Sequence, residues 1–173
     1  MPADPRALIG EGEIAARVDA IARRIAPVID DETVCICLLT GGIWFAADLT
    51  RALHRLGRDP LFDAMWLASY GDARESAGRI ELRAGLQRAV AGRTVLLIDD
   101  VFESGLSLVE ASRLSREAGA SRVLTAVFAR KPWPSQRAIT PDFVAWEAPD
   151  EFLVGYGMDD AGRGRGDPSI ESV

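Results

Sequence analysis

Apolar residues recur at Ile14, Val18, Ile21 and Ile25, the spacing that gives a helix one sealed face, so residues 11–25 are expected to be helical. Beyond them the pattern changes to nearly continuous apolar runs at 33–39, 63–69, 94–98, 122–129 and 143–146. Runs without alternation fit strands covered on both faces. Between them lie helical patterns at 43–56, 82–90 and 106–118, the last ending at Gly119. Apolar strands alternating with amphipathic helices imply βαβ units, and the expectation is an α/β fold with a mainly parallel five-stranded sheet flanked by helices. No repeat, low-complexity tract or linker divides the chain, so residues 1–173 are expected to form one domain.

Composition narrows the function. A formal net charge of −6 argues against a nucleic-acid binder, which needs a basic face to neutralise phosphates. No run reaches membrane-spanning length, and the first residues lack the basic-then-apolar layout of a signal peptide, so a cytoplasmic protein is expected. Cys35 and Cys37 lie two apart in a strand pattern and read as small buried hydrophobes rather than a bridge. His54 is the only histidine and supports no metal site. The basic residues are arginine throughout except for Lys131. That exception either reflects a compositional accident or marks a place where a compact ammonium is needed.

The chemistry concentrates where Val95-Leu96-Leu97-Ile98 runs into Asp99, Asp100, Val101, Phe102 and Glu103, then Ser104-Gly105-Leu106-Ser107. Polar residues at the carboxyl end of a parallel strand stand where α/β sheets bind ligands. The Ser104 to Ser107 turn offers amide N–H groups, two hydroxyls and a helix start, which suit a phosphate monoester. Asp99 and Asp100 can accept hydrogen bonds from ribose hydroxyls or hold a metal carried by the ligand. Gly41-Gly42, after Leu39-Thr40, lets the backbone come close to an anion.

This motif resembles the phosphoribosyl-pyrophosphate (PRPP) motif of type I phosphoribosyltransferases, and the order of the other pieces resembles the hypoxanthine-guanine branch from about residue 9 to 170. The resemblance implies a small hood from about residues 1–10 and 150–173 over the sheet. It implies transfer of ribose 5-phosphate from PRPP to a 6-oxopurine, giving a nucleoside monophosphate and pyrophosphate, with Mg²⁺ as cofactor and a dimer or tetramer as the assembly. By matching position, Glu103 is the general base and Thr40, Gly41 and Gly42 form the pyrophosphate loop, in which the family often has a non-proline cis peptide. Asp99, Asp100, Ser104, Gly105, Leu106 and Ser107 bind PRPP. Ser69 and Tyr70 begin a flap, continued by residues 72–79, that closes over the centre. Lys131 reads the 6-oxo group, Phe152 stacks on the base, and Leu153 reads it through its backbone. Asp159 stands near a Mg²⁺ and Arg165 contacts pyrophosphate.

Three positions depart from the family. Glu103 replaces the usual Asp, Thr40 stands where a Lys is common, and the tail 162–167 is richer in glycine than the family's Tyr/Phe-Arg segment. Read singly, Phe152 is also compatible with a core residue, Asp159 with a cap and Arg165 with a solvated tail. Two competing functions follow from the same fold: a regulator binding a nucleotide or RNA with little catalysis, and a transferase for another 6-oxo base such as xanthine.

Overall fold

A computed structural model describes residues 6–70 and 79–173. Its elements in chain order begin with β1 (Arg6–Ile9), α1 (Glu11–Ile25), β2 (Val34–Leu39), α2 (Ile43–Arg55) and β3 (Leu61–Tyr70). They continue with β4 (Arg79–Ala84), β5 (Thr94–Phe102), α3 (Leu106–Glu117), β6 (Arg122–Arg130), β7 (Phe143–Glu147), β8 (Leu153–Val154) and β9 (Ile170–Ser172). The five apolar runs become β2, β3, β5, β6 and β7, which lie parallel in the order β3-β2-β5-β6-β7.

The strands are apolar on both faces because helices cover both. Cys35 and Cys37 point into a core built with α1 and α2, through Ile14, Val18, Ile21, Ile25, Phe45, Leu49 and Leu53. Their neighbours Val34, Ile36 and Leu38 point into a second core, closed by Leu108 and Ala111 of α3. Both thiols are free, and burial pushes each up to about 12, which leaves them inert as expected. Helix α1 has Glu11 and Glu13 in its first turn and Arg23 and Arg24 in its last, the arrangement its dipole favours.

The helix expected over 82–90 does not form. Residues 79–84 instead pair antiparallel with β3, extending the sheet to β4-β3-β2-β5-β6-β7. The buried carboxylate of Asp63 on β3 accepts the amide N–H groups of Gln87 and Arg88 at 2.8 and 2.9 Å, and this long-range capture overrides the local helical pattern.

The expected hood is a second, antiparallel sheet in the order β1-β9-β8, which ties the first described strand to the last. It is anchored by Tyr156, whose hydroxyl donates to the Asp48 carboxylate of α2 at 2.9 Å and whose ring meets Phe128 edge-on at 4.9 Å. Among the described residues no helix is long and apolar enough to cross a membrane.

Candidate active site

The sheet changes direction between β2 and β5: the chain moves from β2 outward to β3 on one side, and from β5 outward through β6 to β7 on the other. A crevice opens at the carboxyl ends of strands flanking such a switch point. Pairing of Cys37 with Ile98 sets the end of β2 beside Asp99 and Asp100. Pairing of Phe102 with Arg130 makes Glu103 and Lys131 the next residues off adjacent strands.

The loop after β2 is pressed against the carboxylates. An ideal Cβ on Gly41 would lie 1.9 Å from Oδ2 of Asp100, so only glycine fits beneath that side chain. From the hood, Gly157 packs so tightly on the Gly41 carbonyl that a Cβ there would come within 2.1 Å of its oxygen. The peptide joining Leu39 to Thr40 is cis. On the other flank, Gly105 takes a left-handed conformation, φ +82°, with a Cβ position only 2.7 Å from the Phe102 ring, and it starts α3. The Leu106 amide lies 3.4 Å from the Ser104 hydroxyl.

Asp99 and Asp100 stand side by side, Asp100 buried and Asp99 partly so. Burial and the charge of Asp100 push the Asp99 carboxyl well above its usual range. Burial raises Asp100 as well, opposed by its hydrogen bond from the Val101 amide and by the nearby Arg165 guanidinium. A pair in this state gains from a ligand that donates hydrogen bonds or carries positive charge.

Beyond the pair lies a cavity of about 160 Å³ lined by Asp100, Glu103, Lys131, Phe152, Met158 and Asp159 among others. Lys131 Nζ donates to the Glu103 carboxylate at 2.7 Å, and its side chain is only 13% exposed. The lone lysine is thus largely withdrawn from solvent. Phe152, at the cavity, is 53% exposed, which excludes the plainer reading as core, whereas Leu153 is buried in β8. Asp159 pairs with Arg165 at 2.6 Å and accepts the Gly162 amide at 2.6 Å.

The glycine-rich tail is a folded turn. Arg165 donates to the Gly157 carbonyl at 2.5 Å and accepts the Gly157 amide on its own carbonyl, while Tyr156 donates to the Asp167 carbonyl. Arg165 thus faces the carboxylates rather than solvent.

Ser69 and Tyr70 end β3, paired with Ile80 and Arg79 of β4. Residues 71–78, which hold most of the expected flap, lie outside the described residues. Two residues escaped the sequence reading: Met158, which lines the cavity, and Arg137, which donates to the carbonyls of Glu103 and Lys131. Nothing in the sequence distinguishes Arg137 from the other arginines.

A fold of this kind, with acids ending the central strand and a hood over the crevice, defines a class, and residues 12–161 match the family model for the phosphoribosyl transferase domain. The chain belongs to the phosphoribosyltransferase family, and its similarity is to the hypoxanthine-guanine members. It is 33% identical over 168 residues to the hypoxanthine-guanine phosphoribosyltransferase of Aquifex aeolicus, covering 96% of this chain and 93% of that one. Among solved structures it is similar to the hypoxanthine phosphoribosyltransferase of Staphylococcus aureus, with 26% identity, a TM-score of 0.87, and coverage of 97% and 90% of the two chains. It is also similar to that of Trypanosoma cruzi, with 25% identity, a TM-score of 0.90 and the same coverage; the work on that protein concerns the role of its C-terminal region in oligomeric state and activity.

Proposed function

We propose that this chain, acting as one unit over residues 1–173, transfers ribose 5-phosphate from PRPP to a 6-oxopurine, hypoxanthine or guanine, releasing pyrophosphate. The observation that carries this reading is the Lys131–Glu103 pair at the mouth of the cavity, 2.7 Å apart beside the bare ring of Phe152. A 6-oxo-7H-purine edge presents an acceptor, O6, next to a donor, N7–H. It matches an ammonium beside a carboxylate, Lys131 donating to O6 and Glu103 accepting from N7.

The remaining roles follow the same geometry. Phe152 stacks on the base and the Leu153 backbone reads its far edge. Asp99 and Asp100 accept hydrogen bonds from the ribose hydroxyls, which relieves their mutual repulsion. The turn of Ser104, Gly105, Leu106 and Ser107 holds the 5′-phosphate at the start of α3. Amides of Thr40, Gly41 and Gly42, with the Arg165 guanidinium, hold the departing pyrophosphate. As the base nitrogen bonds to the ribose carbon and the bond to pyrophosphate breaks, Glu103 takes the N7 proton, which keeps the base from accumulating positive charge. A flap beginning at Ser69 and Tyr70 excludes water from PRPP.

Mg²⁺ fits this donor set. The acids facing the crevice are all carboxylates, the oxygen ligands that a hard cation takes. Among the described residues no cluster of three or more His, Cys, Asp or Glu forms a metal cage. Asp159, at the edge of the cavity, would hold the ion. When bound it neutralises charge on the leaving diphosphate. The acidic balance favours small-molecule partners over nucleic acid or membrane, two free buried thiols fit a reducing cytoplasm, and a homo-oligomer fits the family.

The test is consumption of PRPP in the presence of Mg²⁺ with hypoxanthine, guanine, xanthine and adenine in turn. Turnover with hypoxanthine or guanine and none with adenine is expected. Absence of turnover with all four, accompanied by salt-dependent RNA binding, would replace the enzyme by a regulator.

A further inference from the structure

We propose that Arg137 is a positioning residue that locks the proton acceptor Glu103 and the base reader Lys131 into one register, with its guanidinium fork spanning the two strand ends. The inference rests on the base-site reading above and extends it to a side chain outside the cavity. Arg137 Nε donates to the Glu103 carbonyl at 2.5 Å and its Nη2 donates to the Lys131 carbonyl. On the sheet side, the Lys131 amide already donates to the Phe102 carbonyl at 3.1 Å. The backbones carrying Glu103 and Lys131 are therefore tied twice, once by the sheet and once by the fork.

The fork itself has a built seat. Its central carbon lies 4.6 Å from the centre of the Phe102 ring and 6.0 Å from that of Trp133. The Phe102 ring is buried, and its edge is the wall against which Gly105 packs, so the guanidinium rests on a tightly packed part of the site. A planar group with donors on separate nitrogens can serve two carbonyls and a ring face together, whereas a lysine ammonium is a single point on a flexible stem. Glu103 makes this useful. Its extra methylene gives the carboxylate more rotamers than an aspartate has, and fixing its backbone limits where the carboxylate reaches.

The test uses Arg137→Ala and Arg137→Lys in the full chain. Both are expected to stay folded at the assay temperature, with Arg137→Ala melting several degrees lower because two hydrogen bonds are lost. Both are expected to lose roughly 10- to 100-fold in kcat/KM for the base, the range a misplaced reacting group produces, with KM for PRPP moving less. Arg137→Lys restores charge without the fork and is not expected to rescue.

A second reading needs no turnover. Because Lys131 is the only lysine, an amine-directed reagent reports its reactivity against the α-amino terminus as internal reference. In Arg137→Ala the ratio of Lys131 to terminus labelling should rise several-fold as the Lys131–Glu103 pair loosens. An unchanged ratio overturns the proposal, as does full rescue by Arg137→Lys or a loss of activity no larger than the fraction of protein unfolded at the assay temperature. If the wild type turns over no purine while the ratio still rises, the positioning role stands and the proposed reaction falls.

Discussion

Asp99 and Asp100 are placed against their own interest. Burial raises both, and the charge of Asp100 raises Asp99 further, so the two carboxyls sit side by side at a cost that a hydrogen-bond donor or a cation would relieve. Asp99→Asn removes one charge and is expected to raise the melting temperature at pH 7 by a few degrees, about what 1 kcal/mol gives in a protein of this size. The same change should weaken PRPP binding; calorimetry of both effects checks it, and a lower melting temperature would contradict that cost. Glu103→Ala is expected to lower kcat by about 10² or more while KM for PRPP changes little, and Glu103→Asp to keep turnover. Steady-state rates decide, and equal turnover in wild type and Glu103→Ala would remove Glu103 from proton transfer. These residues were legible because acid after acid at the end of an apolar run is rare. Arg137 was not, since its partners are backbone carbonyls brought to it by the fold.

At the level of elements, the link between hood and sheet carries the most weight. Tyr156 is buried against Phe128 and hydrogen-bonded to Asp48, and these surroundings raise its phenol well above the usual value near 10. The sign follows from linkage: below pH 10 the phenol is neutral in both folded and unfolded chains. Above pH 10 the unfolded chain releases the proton first, and stability falls as pH rises. Tyr156→Phe is expected to cost about 1 kcal/mol near neutrality through the lost hydrogen bond, yet to unfold less steeply above pH 10 than the wild type. Denaturant melts across pH 7 to 11 test this, and parallel curves would refute it. The five parallel strands and three of the four expected helices were legible from periodicity. The pattern at 82–90 misled because Asp63, some twenty residues earlier, takes the amides of Gln87 and Arg88. Asp63→Ala is expected to destabilise the protein by about 1 to 3 kcal/mol by leaving those two donors unsatisfied, measurable as a drop in unfolding free energy.

Across the whole molecule, the switch point between β2 and β5 sets the site, and the sheet of β1, β9 and β8 closes over it as a hood. The expectation of five parallel strands held because those runs are covered on both faces; the antiparallel edge strand β4 lacked such a signal, its sequence Arg79 to Ala84 being charged and short. The Gly-rich tail looked least structured in sequence, yet Arg165, Gly157 and Asp159 knit it into the site through contacts that no local pattern encodes. Stripping Mg²⁺ with a chelator is expected to abolish PRPP turnover, and restoring Mg²⁺ to recover it.

In the proposed reaction Lys131, beside Glu103, selects the 6-oxo edge of a purine. That selection is tested most directly by the ratio of kcat/KM for hypoxanthine to that for adenine, in wild type and in Lys131→Ala. A charge-assisted hydrogen bond to O6 predicts a loss of about 1.5 to 3 kcal/mol with hypoxanthine, roughly 10- to 150-fold, so the ratio collapses in the variant. A ratio that stays at its wild-type value in Lys131→Ala would contradict the account.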